Sequence, residues 1–121
     1  MNAAELAVHT KSTAAFIAAD RLPITILRRT RIQLSSGGYN WSAPVELEPQ
    51  DARLIPSQDK EKELETDEGK SAHPDYVLLM MPGADIKRWD RFMVGEFEML
   101  VLSEPHGPAY EVKVDVMRCG R

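Results

Sequence analysis

The chain predicts a mainly β fold, a small antiparallel barrel of SH3-like or Greek-key type with six to seven strands, on three observations. Residues 110–116 alternate strictly, Tyr110, Val112, Val114 and Val116 against Glu111, Lys113 and Asp115, which is the pattern of a half-buried antiparallel strand. Short runs of β-branched, aromatic and other apolar residues recur upstream, separated by Gly, Pro and Asp turn residues. The length of 121 residues, with 43% hydrophobic and 28% charged side chains, suits one domain with one modest core. The organisation read from the sequence is a helical arm over residues 1–20 and a barrel over 21–118, interrupted by a charged loop at 57–73.

Asn2 followed three residues later by Glu5 has the form of a capping box, and Ala3, Ala4, Leu6 and Ala7 favour helix. Thr13 is a candidate cap for a second helical stretch, so residues 2–20 are expected as one helix or two short ones, closed by Leu22-Pro23. Residues 24–34 read as strand, and Ser35-Ser36-Gly37-Gly38 as a hairpin turn. The return strand over 39–47 carries Pro44 and therefore belongs at an edge or a bulge. A third strand is expected at 52–55 and a fourth at 76–81, with a turn at Pro82-Gly83-Ala84-Asp85. Residues 85–90 read as one helical turn capped by Asp85, with Trp89 as core or barrel plug. Strands at 91–94 and 97–103 then flank Gly95-Glu96. Met99-Leu100-Val101-Leu102 is apolar on both faces, the mark of a central strand covered on two sides.

Between the third and fourth strands the texture breaks. Residues 57–73 hold Asp59, Glu61, Glu63, Glu65, Asp67 and Glu68 against Lys60, Lys62 and Lys70, so they carry net charge −3 of the chain's −4. A structureless loop longer than about 12–15 residues is uncommon in a compact domain and is usually functional or disordered. This one is expected to protrude.

Composition also excludes function classes. No apolar run approaches the length of about 20 residues needed to span a bilayer, and no signal-peptide layout opens the chain, so a soluble, cytoplasmically made protein is expected. One cysteine, Cys119, allows neither an intrachain disulfide nor a zinc cluster. His9, His73 and His106 share no metal-ligand spacing, and Asp85, Asp90, Glu96 and Glu98 are better used in turns and caps than as a catalytic pair. Gly37-Gly38 lacks the following helix that would hold a phosphate. Neither catalytic residues, metal nor cofactor is therefore expected. A net charge of −4 and a pI near 5.4 disfavour a dedicated nucleic-acid binder. The local exception is Arg28, Arg29 and Arg31, which with Tyr39 and Trp41 have the composition of a stacking surface for single strands or of a protein interface.

The run Ile26-Leu27-Arg28-Arg29-Thr30, then Gly37-Gly38-Tyr39, then Pro49-Gln50-Asp51-Ala52-Arg53-Leu54-Ile55-Pro56, resembles the head-to-tail connector proteins of long-tailed bacteriophages. Tyr76-Val77-Leu78-Leu79, Asp85-Ile86 through Trp89-Asp90-Arg91-Phe92, Phe97-Glu98-Met99-Leu100-Val101 and Tyr110-Glu111-Val112-Lys113 are similar to the rest of the head-closure, or stopper, pattern. The resemblance covers residues 13–118. It implies a non-enzymatic virion protein of the neck, a homo-oligomeric ring, six-fold rather than twelve-fold, between a portal-side adaptor ring and the tail terminator or tube. Such a ring closes the exit channel for double-stranded DNA without sequence-specific binding, with no membrane partner, and residues 57–73 occupy the place of the channel loop. Ring or partner contacts are expected from Leu6, Phe16 and Ile17 on the arm, and from Arg28, Arg29 and Arg31 or the outward face of residues 99–102. The alternatives are another neck component, an adaptor or a tail terminator, and a β-barrel module that binds single-stranded nucleic acid or peptide.

Overall fold

In the computed structural model, which describes residues 1–59 and 61–119, the chain is mainly β with one N-terminal helix. Helix α1 (Ala3–Ala19) is continuous. The Asn2 side chain accepts from the Glu5 amide at 2.8 Å while its side-chain amide donates to the Glu5 carboxylate at 2.8 Å, a variant of the capping box in which the side-chain amide stands in for the N-cap backbone N–H. Thr13 caps nothing: its hydroxyl donates to the His9 carbonyl at 3.1 Å, as Thr10 does to Leu6 at 2.8 Å. Each satisfies itself on the preceding turn, so the threonines do not divide the helix.

Among the described residues there are twelve short strands rather than six or seven: β1 (Leu22–Ile24), β2 (Leu27–Arg28), β3 (Arg31–Gln33), β4 (Tyr39–Trp41), β5 (Val45–Glu46), β6 (Gln50–Pro56), β7 (Leu64–Glu65), β8 (Ser71–Ala72), β9 (Tyr76–Met80), β10 (Arg91–Val94), β11 (Phe97–Val101) and β12 (Val112–Cys119). Eight form one antiparallel sheet in the order β1-β6-β9-β12-β11-β10-β2-β5. It curls until β1 comes back against β10, a half-barrel. The return strand expected over 39–47 is split at Pro44, so that β4 pairs with β3 while β5 pairs with β2 at the sheet edge. Pro23, on the other edge strand, likewise interrupts no central ladder.

The concave face is the core, built from Ile24, Ile26, Ala52, Leu78, Met80, Ile86, Phe92, Met99, Val101, Val114 and Val116. Turn chemistry sets the meander that carries half of it. The amide of Ala84 donates to Met81 at 3.2 Å with Gly83 at φ +83°, a type II turn that needs glycine there. Gly95, at φ +59°, opens the two-residue β10–β11 hairpin that pairs Val94 with Phe97. The helical turn expected at 85–90 is absent: these residues run irregularly into a turn in which the Asp90 amide donates to Lys87 at 3.1 Å, and Trp89 adopts φ +72°.

The convex face is also covered. Leu79, Leu100 and Leu102 are buried, which explains why residues 99–102 are apolar throughout. Helix α1 lies over β6, β9 and β12, burying Ile17, stacking His9 on Tyr110 at 4.8 Å and receiving Arg53 on the Phe16 carbonyl at 2.7 Å. Residues 61–73 reach β10 through Asp67 and Arg91 and β12 through Lys62 and Asp115. They do not form a structureless projection: β7 and β8 make a ribbon, closed by a bond of 2.8 Å from the Thr66 amide to Lys70 and by Gly69 at φ +79°. Asp115, on the face of β12 expected to meet water, is buried beneath this segment, with its carboxylate 2.9 Å from the Lys62 ammonium.

Phe92→Ala is expected to cost about 3–5 kcal/mol, because the ring is fully enclosed and the curled sheet has little freedom to collapse into the cavity; a urea unfolding curve measures it.

Candidate functional site

The ribbon and the base of the β3–β4 hairpin meet at one corner of the molecule, where Arg29 and Asp67, and Glu65 and Trp89, come together. Asp67 is the centre. Its side chain is 2% exposed, and one carboxylate oxygen accepts from Arg91 at 2.8 Å and also from Arg29. Arg91 projects from the convex face of β10, opposite Leu100, and turns its other nitrogen to Glu98 at 2.7 Å. Burial disfavours its charge, but the bonds from Asp67 and Glu98 outweigh this and hold its pKa above the ordinary arginine value. Arg28 is spoken for in a second cluster. It grips Asp90 through two nitrogens at 3.0 and 2.8 Å and reaches Asp85 at 2.9 Å; the Asp90 bonds, opposed by burial, raise its pKa too. Asp90 and Asp85 therefore anchor an arginine instead of capping a helix, and Asp90 also accepts from the Lys87 amide at 2.8 Å.

Arg31 differs. Among the described residues it meets no acid and its guanidinium makes no hydrogen bond; it lies over Tyr39 at 4.6 Å, Trp89 at 5.0 Å and Trp41 at 5.6 Å. Cross-strand pairing of Arg31 with Trp41, and of Gln33 with Tyr39, sets these side chains on one face of the hairpin. Trp89 is neither core nor plug. It is half-buried beside Trp41, ring centroids 5.9 Å apart and edge-on, and its indole donates to the Glu65 carbonyl at 3.2 Å. The positive φ aims it outward, away from the concave core.

The remaining ribbon charges have distinct positions. The Asp59 carboxylate accepts from the amides of Glu61 and Lys62 at 3.2 and 3.1 Å. Glu61, Glu63, Glu65, Glu68 and Lys70 are exposed, and Lys60 lies outside the described residues. On the arm, Ile17 is buried in the chain itself, Leu6 is half-buried and Phe16 is exposed, while the outward face of 99–102 is closed by the protein's own cover. Sequence reasoning missed Arg91 as the ribbon's anchor and Trp89 as a surface ring. A buried acid inside a charged run is no different in composition from its solvated neighbours, so no local signal marked Asp67. Among the described residues no group of three or more His, Cys, Asp or Glu side chains is placed to hold a metal ion, and no helix is long and apolar enough to cross a membrane.

Removing Asp67 leaves two half-buried arginines without their shared acceptor. Asp67 Oδ1 and Arg91 Nε already lack partners among the described residues, so the clasp is not fully satisfied and Asp67→Ala is expected to cost about 2–3 kcal/mol, at the lower end for a buried pair. Asp51→Ala, which breaks an exposed 3.7 Å pair with Arg21, should change stability by less than about 1 kcal/mol. Chemical denaturation of both variants, with hydrogen exchange of residues 61–73, checks the contrast: the Asp67 variant loses protection in the ribbon first.

Burial, only partly offset by Arg91, pushes the Cys119 thiol up. A raised pKa lowers the thiolate fraction at every pH below it, so alkylation near pH 8 should be slower in the folded protein than in urea and should accelerate as pH rises toward the shifted value. Iodoacetamide kinetics in both states measure this.

In comparison with known proteins, no family model matches the chain and no curated protein matches it.

Proposed function

We propose that this protein is a head-to-tail stopper of a long-tailed bacteriophage, a non-enzymatic ring component of the neck that closes the DNA exit channel after packaging and offers a docking face for the tail. The observation that carries the reading is the acidic ribbon inserted between β6 and β9, at the place where the stopper pattern has its channel loop. Net charge −3 in this segment, repeated around a ring, would set a collar of negative charge against DNA. With screening over about 8 Å at physiological salt, such a collar acts at close range and together with the bulk of the converging segments. The ribbon is folded onto its own subunit by Asp67 and Lys62, so gating by this segment requires those contacts to open or the ring to present the exposed Glu61, Glu63 and Glu68 as they stand.

A closed ring needs two different patches on each subunit. Val8 and Phe16 on α1, and Met93 and Phe97 on opposite faces of the β10–β11 hairpin, are exposed apolar side chains that such patches would draw on. The predominance of strand supports a stopper over a mostly helical adaptor. Portal-side adaptor, tail terminator or tail tube, and double-stranded DNA passing without sequence readout are the partners this role implies.

Deletion of the gene from the genome that carries it should yield separate tails and heads that have lost their DNA, seen by electron microscopy. Full, normally tailed particles would sink the reading.

A further inference from the structure

We propose that the Arg31 face of the β3–β4 hairpin is a docking surface for an extended, acidic segment of another protein, in which a carboxylate meets Arg31 and aliphatic side chains pack on the hairpin. This does not depend on the stopper reading.

Three observations on the hairpin point to it. First, the tip exposes large apolar side chains on both faces, with Tyr39 60%, Ile32 47% and Leu34 42% accessible. A two-stranded ribbon with little core of its own is marginal in water, and a concentration of exposed apolar residues with Arg, Tyr and Trp is the composition of an interface centre. Second, residues 28–45 hold three arginines and no acid, in a protein of net charge −4. Third, two of those arginines are already neutralised, Arg28 by Asp90 and Asp85 and Arg29 by Asp67, which leaves Arg31.

The state of Arg31 selects the chemistry. Tyr39, Trp41 and Trp89 surround the guanidinium at 4.6, 5.6 and 5.0 Å, the two tryptophans edge-on to each other, and its N–H donors, unbonded among the described residues, are left for an acceptor. A planar fork held in place loses little entropy on forming two parallel bonds to a carboxylate. Charge complementarity therefore favours an acid. A nucleic acid would present a row of phosphates, whereas among the described residues this surface offers only Arg31 and, over the Trp89 ring at 4.9 Å, Arg88 without an acid partner, in a protein of net charge −4. One charge among the rings of Tyr39, Trp41 and Trp89, with Ile32 and Leu34 exposed on the other face of the ribbon, fits a carboxylate flanked by apolar residues.

Both tryptophans of the protein, Trp41 and Trp89, stand in this cluster, so intrinsic fluorescence reports on it alone. The test titrates the full chain with a short blocked peptide alternating glutamate with valine and isoleucine, with its lysine counterpart, and with a thymidine oligonucleotide. A saturable change with the glutamate peptide only is expected, weakened about tenfold or more in Arg31→Ala and kept in Arg21→Ala. Arg31→Lys, which keeps the charge and loses the fork, should also weaken it, and circular dichroism of each variant guards against misfolding. Absence of a saturable signal, or binding undiminished in Arg31→Ala and Arg31→Lys, overturns the proposal. Salt-dependent binding of the oligonucleotide in place of the peptide overturns it in favour of nucleic acid. Self-association in sedimentation that disappears in Arg31→Ala, without peptide binding, overturns it in favour of a second copy.

Discussion

Strands β9 and β11 carry apolar residues on both faces of this sheet, and a curled sheet can bury only its concave side against itself. Everything on the convex side follows from the need to cover Leu79, Leu100 and Leu102, because exposed apolar surface of that extent would cost about 25 cal/mol for each Å² left in water. Helix α1 packs on β6, and residues 61–73 reach β10 and β12 through Asp67 and Lys62. The second cover is made of charged sequence, and it can lie there only because the surface beneath supplies counter-charges. Arg91 and Asp115 project from strands where an aliphatic residue would have sufficed for packing, and they receive Asp67 and Lys62.

This arrangement ties the cover to the hairpin. Asp67 takes Arg29 from the base of the hairpin and Arg91 from the sheet on a single oxygen, while the Glu65 carbonyl accepts from Trp89. Ribbon, hairpin and sheet therefore share their polar contacts. Such a node is cooperative, since loss of one partner leaves the others desolvated without compensation. Helix α1, by contrast, rests on few contacts and a good cap.

The surfaces left over are accordingly few and different in kind. The exposed glutamates of the ribbon form an acidic strip, α1 and the β10–β11 hairpin offer exposed apolar side chains, and the Arg31 hairpin combines one oriented cation with aromatic and aliphatic side chains. The proposed neck role and the proposed acidic-segment partner would both draw on them.

Local chemistry was legible in the sequence. The Asn2–Glu5 cap, the Gly83 and Gly95 turns and the β3–β4 turn depend on neighbours a few positions apart and stand where the pattern placed them, while the strand read over 110–116 begins at Val112 and runs to Cys119. Pro44 marked a break, although not that β5 would leave β4 and pair with β2. The functional corner was not legible. Arg29 and Arg91 meet Asp67 across 38 and 24 residues, Trp89 turns outward through a positive φ, and Asp115 is buried by a segment whose composition signals solvent. By itself the sequence determined the N-terminal helix, the tight turns, the predominance of strand and the net charge, because backbone conformation and periodicity are local, but not where the 24–34 and 39–47 runs divide into separate strands. Only the tertiary structure decided which charges are neutralised and which stay available, because ion pairing depends on which faces the curl of the sheet brings together.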